Sequence, residues 1–125
     1  MGQVTADRGG RGRVRDRDGL AESGAKVPWA ELEAELGERA TLLQFSSAFC
    51  APCRATRRVL GEVARLVPGV AHVEIDAEAR LDLVRRLEIV RTPTVLVLDA
   101  AGRIVRRATG QPRKADVIAA LGEVL

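Results

Sequence analysis

The run Thr94–Leu98 limits the fold of this 125-residue chain more than any other segment. Its residues, Thr-Val-Leu-Val-Leu, favour a β-strand and would make both faces of that strand apolar. A strand that is apolar on both faces belongs in the middle of a sheet whose two faces are covered. The chain therefore has to supply neighbouring strands on each side of this run and helices above and below the sheet.

The spacing of apolar residues elsewhere in the chain predicts these strands and helices. Short apolar runs predict strands at Thr41–Ser46 and Val70–Ile75, and Ile104 among charged residues predicts an antiparallel strand over 103–108. Apolar residues at helical spacing predict four helices: 28–36, 51–67, 78–87 and a last one after Pro112. We predict an α/β fold with a central mixed β-sheet flanked by helices on both faces.

Single residues mark the ends and inner faces of these helices. Pro28 suits the first turn of a helix that Gly37 ends, and Asp76 is placed to cap the helix over 78–87. The last helix has three apolar residues on one face: Val117, Leu121 and Leu125.

The N-terminal segment differs in composition from the rest of the chain. Residues 1–20 hold five Arg and three Asp, a difference of +2 within a net charge of +3. We predict a disordered Arg- and Gly-rich tail or linker over 1–24 and one folded domain over 25–125. The chain has no apolar segment typical of a secretory signal or a membrane span, so we expect a cytoplasmic protein.

Composition also limits the classes of partner. A nucleic-acid-binding domain needs a basic face and side chains that stack on bases. Beyond the tail the charge is close to neutral, and aromatic residues make up 2% of the chain. We therefore expect no nucleic-acid partner, and binding through the Arg-rich tail is the least favoured alternative.

Cys50 and Cys53 lie where a predicted strand passes into a helix. Free N–H groups and the positive end of the helix dipole favour the thiolate of Cys50, and Arg54 adds positive charge. Cys53 follows one turn later and can reach a mixed disulfide formed at Cys50. The spacing predicts a redox couple with Cys50 as nucleophile and Cys53 as resolving thiol. The alternatives are a zinc half-site, for which His72 is the one further His or Cys, and a cysteine pair without a role.

The segment Thr92-Pro93-Thr94 directly precedes the central strand, where proline is unusual. A cis Thr92–Pro93 bond would place Pro93 against the cysteines and leave the Thr92 backbone free to pair with an extended substrate. A trans proline that begins a strand is the ordinary alternative. The presence of the cysteine pair in the same chain favours the cis form.

Together these motifs resemble the thioredoxin family over about residues 28–125. The matching positions are Cys50-Ala51-Pro52-Cys53, Val73-Glu74-Ile75-Asp76, Thr92-Pro93-Thr94, Gly102 and Gly110. The resemblance implies the thioredoxin fold and a redox-active Cys50–Cys53 disulfide, with no metal and no cofactor. It also implies a monomer that acts on protein disulfides and receives electrons from a thioredoxin reductase or a similar donor. The substrate groove implied by the family comprises Phe49, Ala51, Pro52, Thr92, Pro93 and Gly110.

Three positions depart from the common family pattern. Phe49 and Ala51 replace a Trp and a Gly beside the first cysteine. Gln44 stands where the family commonly has a buried Asp that helps to deprotonate the second cysteine, and an amide cannot take up a proton near neutral pH. His72 aligns with the Lys that accompanies that Asp. We hypothesise that His72 partly replaces the acceptor, with Gln44 and Arg54 as further proton-transfer or tuning residues. A hydrogen-bonded strand histidine without such a role is the alternative.

The favoured interpretation is a cytosolic protein-disulfide reductase. One alternative is a thioredoxin-fold binding or chaperone-like module whose cysteines are not catalytic. Another is a membrane-anchored, extracytoplasmic disulfide oxidoreductase whose anchor is absent from this chain. The missing export signal favours a reductant over an oxidant or isomerase, and the reduction potential sets the direction of electron flow.

Overall fold

The computed structural model describes residues 6–8, 10–12, 25–29, 32 and 34–125. The elements in chain order are β1 (Ala6–Arg8), β2 (Gly10–Gly12), β3 (Ala40–Ser46), α1 (Ala51–Leu66), β4 (Val70–Asp76), α2 (Leu81–Arg86), β5 (Thr94–Asp99), β6 (Ile104–Thr109) and α3 (Lys114–Gly122). None of the helices among these described residues is long and apolar enough to cross a membrane.

Four strands form one mixed sheet in the order β4-β3-β5-β6. The β4 strand runs parallel to β3, whereas β5 pairs antiparallel with both β3 and β6. The parallel pair is joined through α1, and the antiparallel β5–β6 pair is joined by a short turn, as these two connection types require. The apolar run Thr94–Leu98 lies within β5, which has a strand on each side, so the predicted central position is confirmed.

The alternation of side chains along the strands divides the core between the two faces of the sheet. One face packs against α2 through Leu43, Phe45, Leu83, Leu87, Leu96 and Leu98. The other face packs against α1 and α3 through Leu42, Leu60, Val63, Val95, Val97, Val117 and Leu121. Helices therefore cover both faces of the sheet, as the sequence predicted.

The predicted helix over 28–36 is not formed as expected. Leu32 closes a single turn with Trp29 through an N–H···O bond of 3.0 Å, residues 34–37 are irregular, and residues 30, 31 and 33 lie outside the described part. The preceding segment instead extends the sheet edge, because Val27 N–H donates to the Gly102 carbonyl at 3.1 Å. An isolated helix of nine residues is only marginally stable. The hydrogen bonds that anchor the preceding segment at the sheet edge therefore outweigh the helical spacing of the apolar residues.

The predictions for the α2 cap and the last helix were also wrong in part. The Asp76 carboxylate accepts the N–H of Glu78 at 2.9 Å, which forms a local turn. The α2 helix therefore begins only at Leu81, after Arg80, which makes no side-chain cap. At the C-terminus α3 ends at Gly122, so Leu125 lies beyond the helix and is exposed.

Most of the predicted tail over 1–24 lies outside the described residues. Within that range, β1 and β2 pair antiparallel, with Ala6 opposite Gly12 and Arg8 opposite Gly10. The predicted boundary between a tail and a domain at residue 25 stays a prediction.

Candidate redox site

The two cysteines form a disulfide across the first turn of α1, with their Cα atoms 5.2 Å apart. Cys50 is the N-cap residue of the helix, and the N–H of Cys53 donates to its Sγ at 3.2 Å. Its carbonyl accepts the N–H of Arg54 at 3.2 Å. Pro52 lies in the first turn, where the missing N–H is tolerated. Among the described residues, no group of three or more His, Cys, Asp or Glu could hold a metal ion.

The two sulfur-bearing residues differ in exposure. Cys53 is 1% exposed and faces the sheet, whereas Cys50 is partly exposed at the end of the domain. Phe49 precedes it with a left-handed backbone (φ 57°) and a side chain that is fully exposed. Ala51 and Pro52 are exposed on the other side of Cys50. An approaching disulfide therefore meets Cys50 first, surrounded by small and apolar side chains.

The loop that contains Thr92 and Pro93, which we call the proline loop, lies against the segment that leads to Cys50. The Thr92–Pro93 bond is cis, as predicted, and Pro93 is buried. The hydroxyls of Ser47 and Thr92 are 2.8 Å apart, and the N–H of Gly110 donates to the Pro93 carbonyl at 2.8 Å. Gly110 has a φ of 91°, and a Cβ there would meet no atom within 4 Å, so its outer side is open. These contacts hold Thr92, Pro93 and Gly110 next to one another, with Pro93 beneath the surface.

Gln44 is fully buried on the α1 face of the sheet. Its Nε2 group donates to the Cys53 carbonyl and to the Ser46 Oγ, both at 2.9 Å. Its Oε1 lies 3.0 Å from Nε2 of His72. Because both amide hydrogens are used, Oε1 accepts, and this network assigns the proton of the neutral imidazole to Nε2.

The environment of His72 favours its neutral form. Burial lowers its pKa below the ordinary 6.5, a shift that the Glu74 carboxylate opposes and the Arg57 guanidinium reinforces. With the proton on Nε2 engaged by Gln44, the basic atom of the ring is Nδ1. The ring contacts Gln44 rather than Cys53, so the role of His72 as a proton acceptor stays a prediction.

The hydrogen-bonded network continues to the surface. Arg57 donates twice to Glu74, from Nε at 2.7 Å and from Nη2 at 2.8 Å. This ion pair holds the pKa of Glu74 below its usual range, and a hydrogen bond from the Ser46 hydroxyl adds to the effect. The chain of contacts thus runs from Arg57 through Glu74, Ser46 and Gln44 to the carbonyl of Cys53.

Ser46, Ser47 and the Arg57–Glu74 pair also belong to this site, although the sequence did not predict them. Gln44 and Ser46 are two residues apart and so share one face of a strand, which was a usable signal. Their partners on other elements required the tertiary fold. Arg54 is exposed, and it joins the site through its backbone N–H.

A helix-initiating disulfide beside a cis-proline loop, on a mixed sheet covered on both faces, defines a dithiol–disulfide domain. The sequence model described as Thioredoxin matches residues 26–123, which is more than half of the chain. The chain belongs to the thioredoxin family.

Comparison with individual proteins agrees with this assignment. The chain is 26% identical over 72 residues to Thioredoxin H5 of Oryza sativa subsp. japonica, across 56% of this chain and 53% of that protein. The match thus spans about half the length of this curated relative. The crystal structure of chloroplastic thioredoxin z is similar at 27% identity with a TM-score of 0.62, over 70% of this chain and 79% of that one. A mutant thioredoxin from Halobacterium salinarum, at 17% identity and a TM-score of 0.63, shares the fold over 70% of this chain and 75% of that one.

Proposed function

We propose that this protein is a thiol–disulfide oxidoreductase that reduces protein disulfides through Cys50 and Cys53. The observation that carries the proposal is the asymmetric disulfide at the start of α1, in which Cys50 is reachable and Cys53 is 1% exposed. Membership of the thioredoxin family supports it. A structural disulfide would have no need of a helix N-terminus directed at one sulfur.

The first step starts from the dithiol form. The Cys50 thiolate attacks one sulfur of the substrate disulfide, so a Cys50–substrate disulfide forms while the substrate S–S bond breaks and one substrate thiolate leaves. The N–H of Cys53, which lies 3.2 Å from Cys50 Sγ in the disulfide form, and the N-terminal end of α1 stabilise the attacking anion.

The second step forms the Cys50–Cys53 disulfide. Cys53 loses its proton and attacks the Cys50 sulfur, and the second substrate thiolate is released. The substrate gains two electrons and takes up two protons, and the protein is left with the Cys50–Cys53 disulfide. An external dithiol donor, for which we propose a thioredoxin reductase or a similar protein, returns two electrons to the pair.

The surface around Cys50 is the proposed substrate groove. Thr92 presents its backbone to an extended substrate, while Pro93 and Gly110 form the floor and the edge. Phe49, Ala51 and Pro52, all exposed, form the other side. We assign specificity to these contacts because the sulfur chemistry itself is the same for any disulfide.

Gln44 and His72 are the proposed tuning residues of Cys53, acting through the carbonyl of Cys53 and the amide of Gln44. An amide cannot remove the proton of the thiol, so we expect the second step to be slower than with a buried carboxylate. Arg54 adds positive charge one turn from Cys50 and favours its thiolate.

The proposed direction is reduction, and the proposed setting is the cytoplasm, where a dithiol stays reduced. We expect a monomer that passes electrons from its donor to protein disulfides. Equilibration with glutathione buffers measures the potential: a value near about −270 mV fits a reductant, and one near about −120 to −180 mV an oxidant or isomerase.

Trapping tests the assignment of the two cysteines. With insulin as substrate and dithiothreitol as donor, we expect wild type to accelerate reduction and Cys50→Ser to abolish the acceleration. We expect Cys53→Ser to accumulate a covalent insulin adduct through Cys50, detected by mass spectrometry. An adduct on Cys53 in the Cys50→Ser variant, at an equal rate, would overturn the assignment. Retained binding with no adduct in any variant would instead indicate a binding module.

A further inference from the structure

The outer face of α1 carries a row of exposed arginines that starts one turn from Cys50. Arg58 and Arg65 follow Arg54 by 4 and 11 positions, which places the three within about 40° around the helix axis. We call Arg54, Arg58 and Arg65 the arginine row. The buried side chains of α1, Cys53, Thr56, Leu60 and Val63, lie on the opposite side of the helix.

Gly61 leaves the middle of the arginine row open. It falls between Arg58 and Arg65 on the same side of the helix, and the Arg65 Nη1 lies 3.5 Å from the place a Cβ of Gly61 would occupy. The guanidinium of Arg65 therefore extends along the helix toward Arg58. With a rise of 1.5 Å per residue the row covers about 17 Å of helix.

The charge of the arginine row is not neutralised within the part of the chain that the structure describes. The carboxylates beside it have other partners: Glu74 binds Arg57 at 2.7 Å, and Glu62 binds Lys114 at 3.2 Å. Among the described residues, no carboxylate pairs with Arg54, Arg58 or Arg65. An aligned set of like charges without partners destabilises a helix slightly. The arginine row therefore does not contribute to the stability of the fold.

We infer that the arginine row is a docking surface for acidic protein substrates. The inference rests on the proposed function and names its substrate class: protein disulfides flanked by Asp and Glu residues over about 17 Å on the side that faces α1. Cys50 is the N-cap of α1 and its carbonyl accepts the N–H of Arg54 at 3.2 Å, so the row begins within one turn of Cys50. A protein bonded to Cys50 therefore lies close to the row, and complementary charge accelerates its encounter.

The test compares two peptides that share one disulfide core and differ in their flanks, Asp/Glu in one and Lys in the other. Bis(2-hydroxyethyl) disulfide serves as the uncharged probe. At low ionic strength we expect wild type to give about tenfold higher kcat/KM for the acidic peptide than for the basic one. The two values should converge near 0.5 M salt, where the Debye length is only a few ångströms.

The variant Arg58→Glu/Arg65→Glu should reverse the preference between the peptides and leave reduction of the uncharged probe within about twofold. The matched control is Arg85→Glu/Arg103→Glu, because both of these arginines are exposed outside α1 and the net charge changes equally. The control should keep the acidic preference. If the reversal variant fails to fold, Arg58→Gln/Arg65→Gln should abolish the preference without reversing it.

Equal rates for the two peptides with wild type would overturn the inference. An equal loss of preference in the control would do so too, since net charge alone would then explain the effect. A mass that rises with concentration at low salt would also contradict it, because a second copy would then occupy the row. No reduction of the uncharged probe by wild type would refute the proposed function itself, a result distinct from these.

Discussion

Each face of the sheet holds a long polar side chain whose hydrogen bonds can be compared, Gln44 on one and Arg107 on the other. Gln44 enters the α1 face and Arg107 enters the α2 face, where its strand neighbour is Leu96. Gln44 is uncharged, fully buried and hydrogen-bonded through both of its amide hydrogens and its oxygen. Arg107 keeps a charge, remains partly exposed and has a buried Nε without a hydrogen-bond partner.

Arg107 binds the carbonyl groups at the C-terminal end of α2. Its Nη2 donates to the Leu87 carbonyl at 2.8 Å and its Nη1 to the Glu88 carbonyl at 3.1 Å, just beyond the end of α2. A cation at a helix C-terminus is favourable because carbonyl groups there lack helical partners. Burial lowers the pKa of Arg107, and the Glu88 carboxylate opposes that shift. Glu88 itself has a left-handed backbone (φ 56°), so Arg107 holds a turn that leads toward the proline loop.

The difference shows how the location of a polar group limits its chemistry. Directly under the redox pair the structure uses an amide, which makes three hydrogen bonds without a charge to desolvate. At the margin of the other face it uses a guanidinium, whose charge can still reach water. Substitutions on the two faces should therefore differ in their effect on stability and on the site.

Replacing Gln44 should have the largest effect. In Gln44→Leu the Cys53 carbonyl and the His72 Nε2–H would lose their partner within the core, and we expect the free energy of unfolding to fall by about 3 kcal/mol. Urea denaturation of the disulfide form measures this loss.

Gln44→Glu is the matched control, because a protonated carboxyl has the same shape and can still accept from His72 while donating to Cys53. It should lose less stability at pH 5 than at pH 8, since a buried carboxylate without a cation is unfavourable. A loss below about 1 kcal/mol in Gln44→Leu would show that the hydrogen bonds under Cys53 contribute little.

Replacing Arg107 should have an intermediate effect. Arg107→Met keeps the apolar stem but removes two charge-assisted hydrogen bonds at the end of α2, so we expect a loss of about 1.5 kcal/mol. Hydrogen exchange should quicken at the amides of Leu87 and Ile89, which now donate to Leu83 and Val84 at 2.9 Å.

The adjacent Arg106→Met is the control for Arg107. Arg106 forms an exposed ion pair with Glu123 at 2.9 Å, so its loss should change stability by less than about 0.5 kcal/mol. Equal losses in the two variants would mean that the carbonyls beyond α2 need no guanidinium, and the contrast between the two faces would then fail.

Sequence reasoning succeeded where local patterns decide the outcome. The run in β5 predicted its central place because a strand that is apolar on both faces has few other positions in a sheet. The Cys50–Cys53 spacing and the strand-to-helix junction placed the disulfide on the first turn of α1. Thr92-Pro93 was assigned the cis form only in combination with the cysteines, since an isolated proline carries no such signal.

The sequence predicted less where competing local contacts, or contacts between distant segments, determine the structure. Asp76 had the chemistry of a helix cap, but its carboxylate takes the nearer N–H of Glu78 and α2 starts later. The spacing of Trp29, Leu32 and Leu36 predicts a helix, whereas the described residues 34–37 are irregular and the three side chains cover the α2-side core. The contact of Gln44 with His72 spans two strands and is set by their register.

Titration of His72 should have the smallest effect on stability. Because burial lowers its pKa in the folded protein, the unfolded chain binds the proton more readily below pH 6.5. Stability contributed by neutral His72 is therefore complete above about pH 6.5 and declines as pH falls toward the lower folded value. The lowered pKa of Glu74 acts in a separate window, since its contribution is lost only in more acidic solution.

His72 is the only histidine in the chain, so its ring protons report its pKa by NMR without assignment. We expect a midpoint below 6.5, moved lower still in Glu74→Gln because the opposing carboxylate is gone. Between pH 7.5 and 5.5, wild type should lose at most about 1 kcal/mol more stability than His72→Gln. Protonation at Nδ1 leaves the Nε2–H bond to Gln44 intact, so the amide should hold the Cys53 carbonyl at both pH values. A midpoint at or above 6.5 would mean that Glu74 outweighs burial, and His72 would then carry a charge beneath the redox pair.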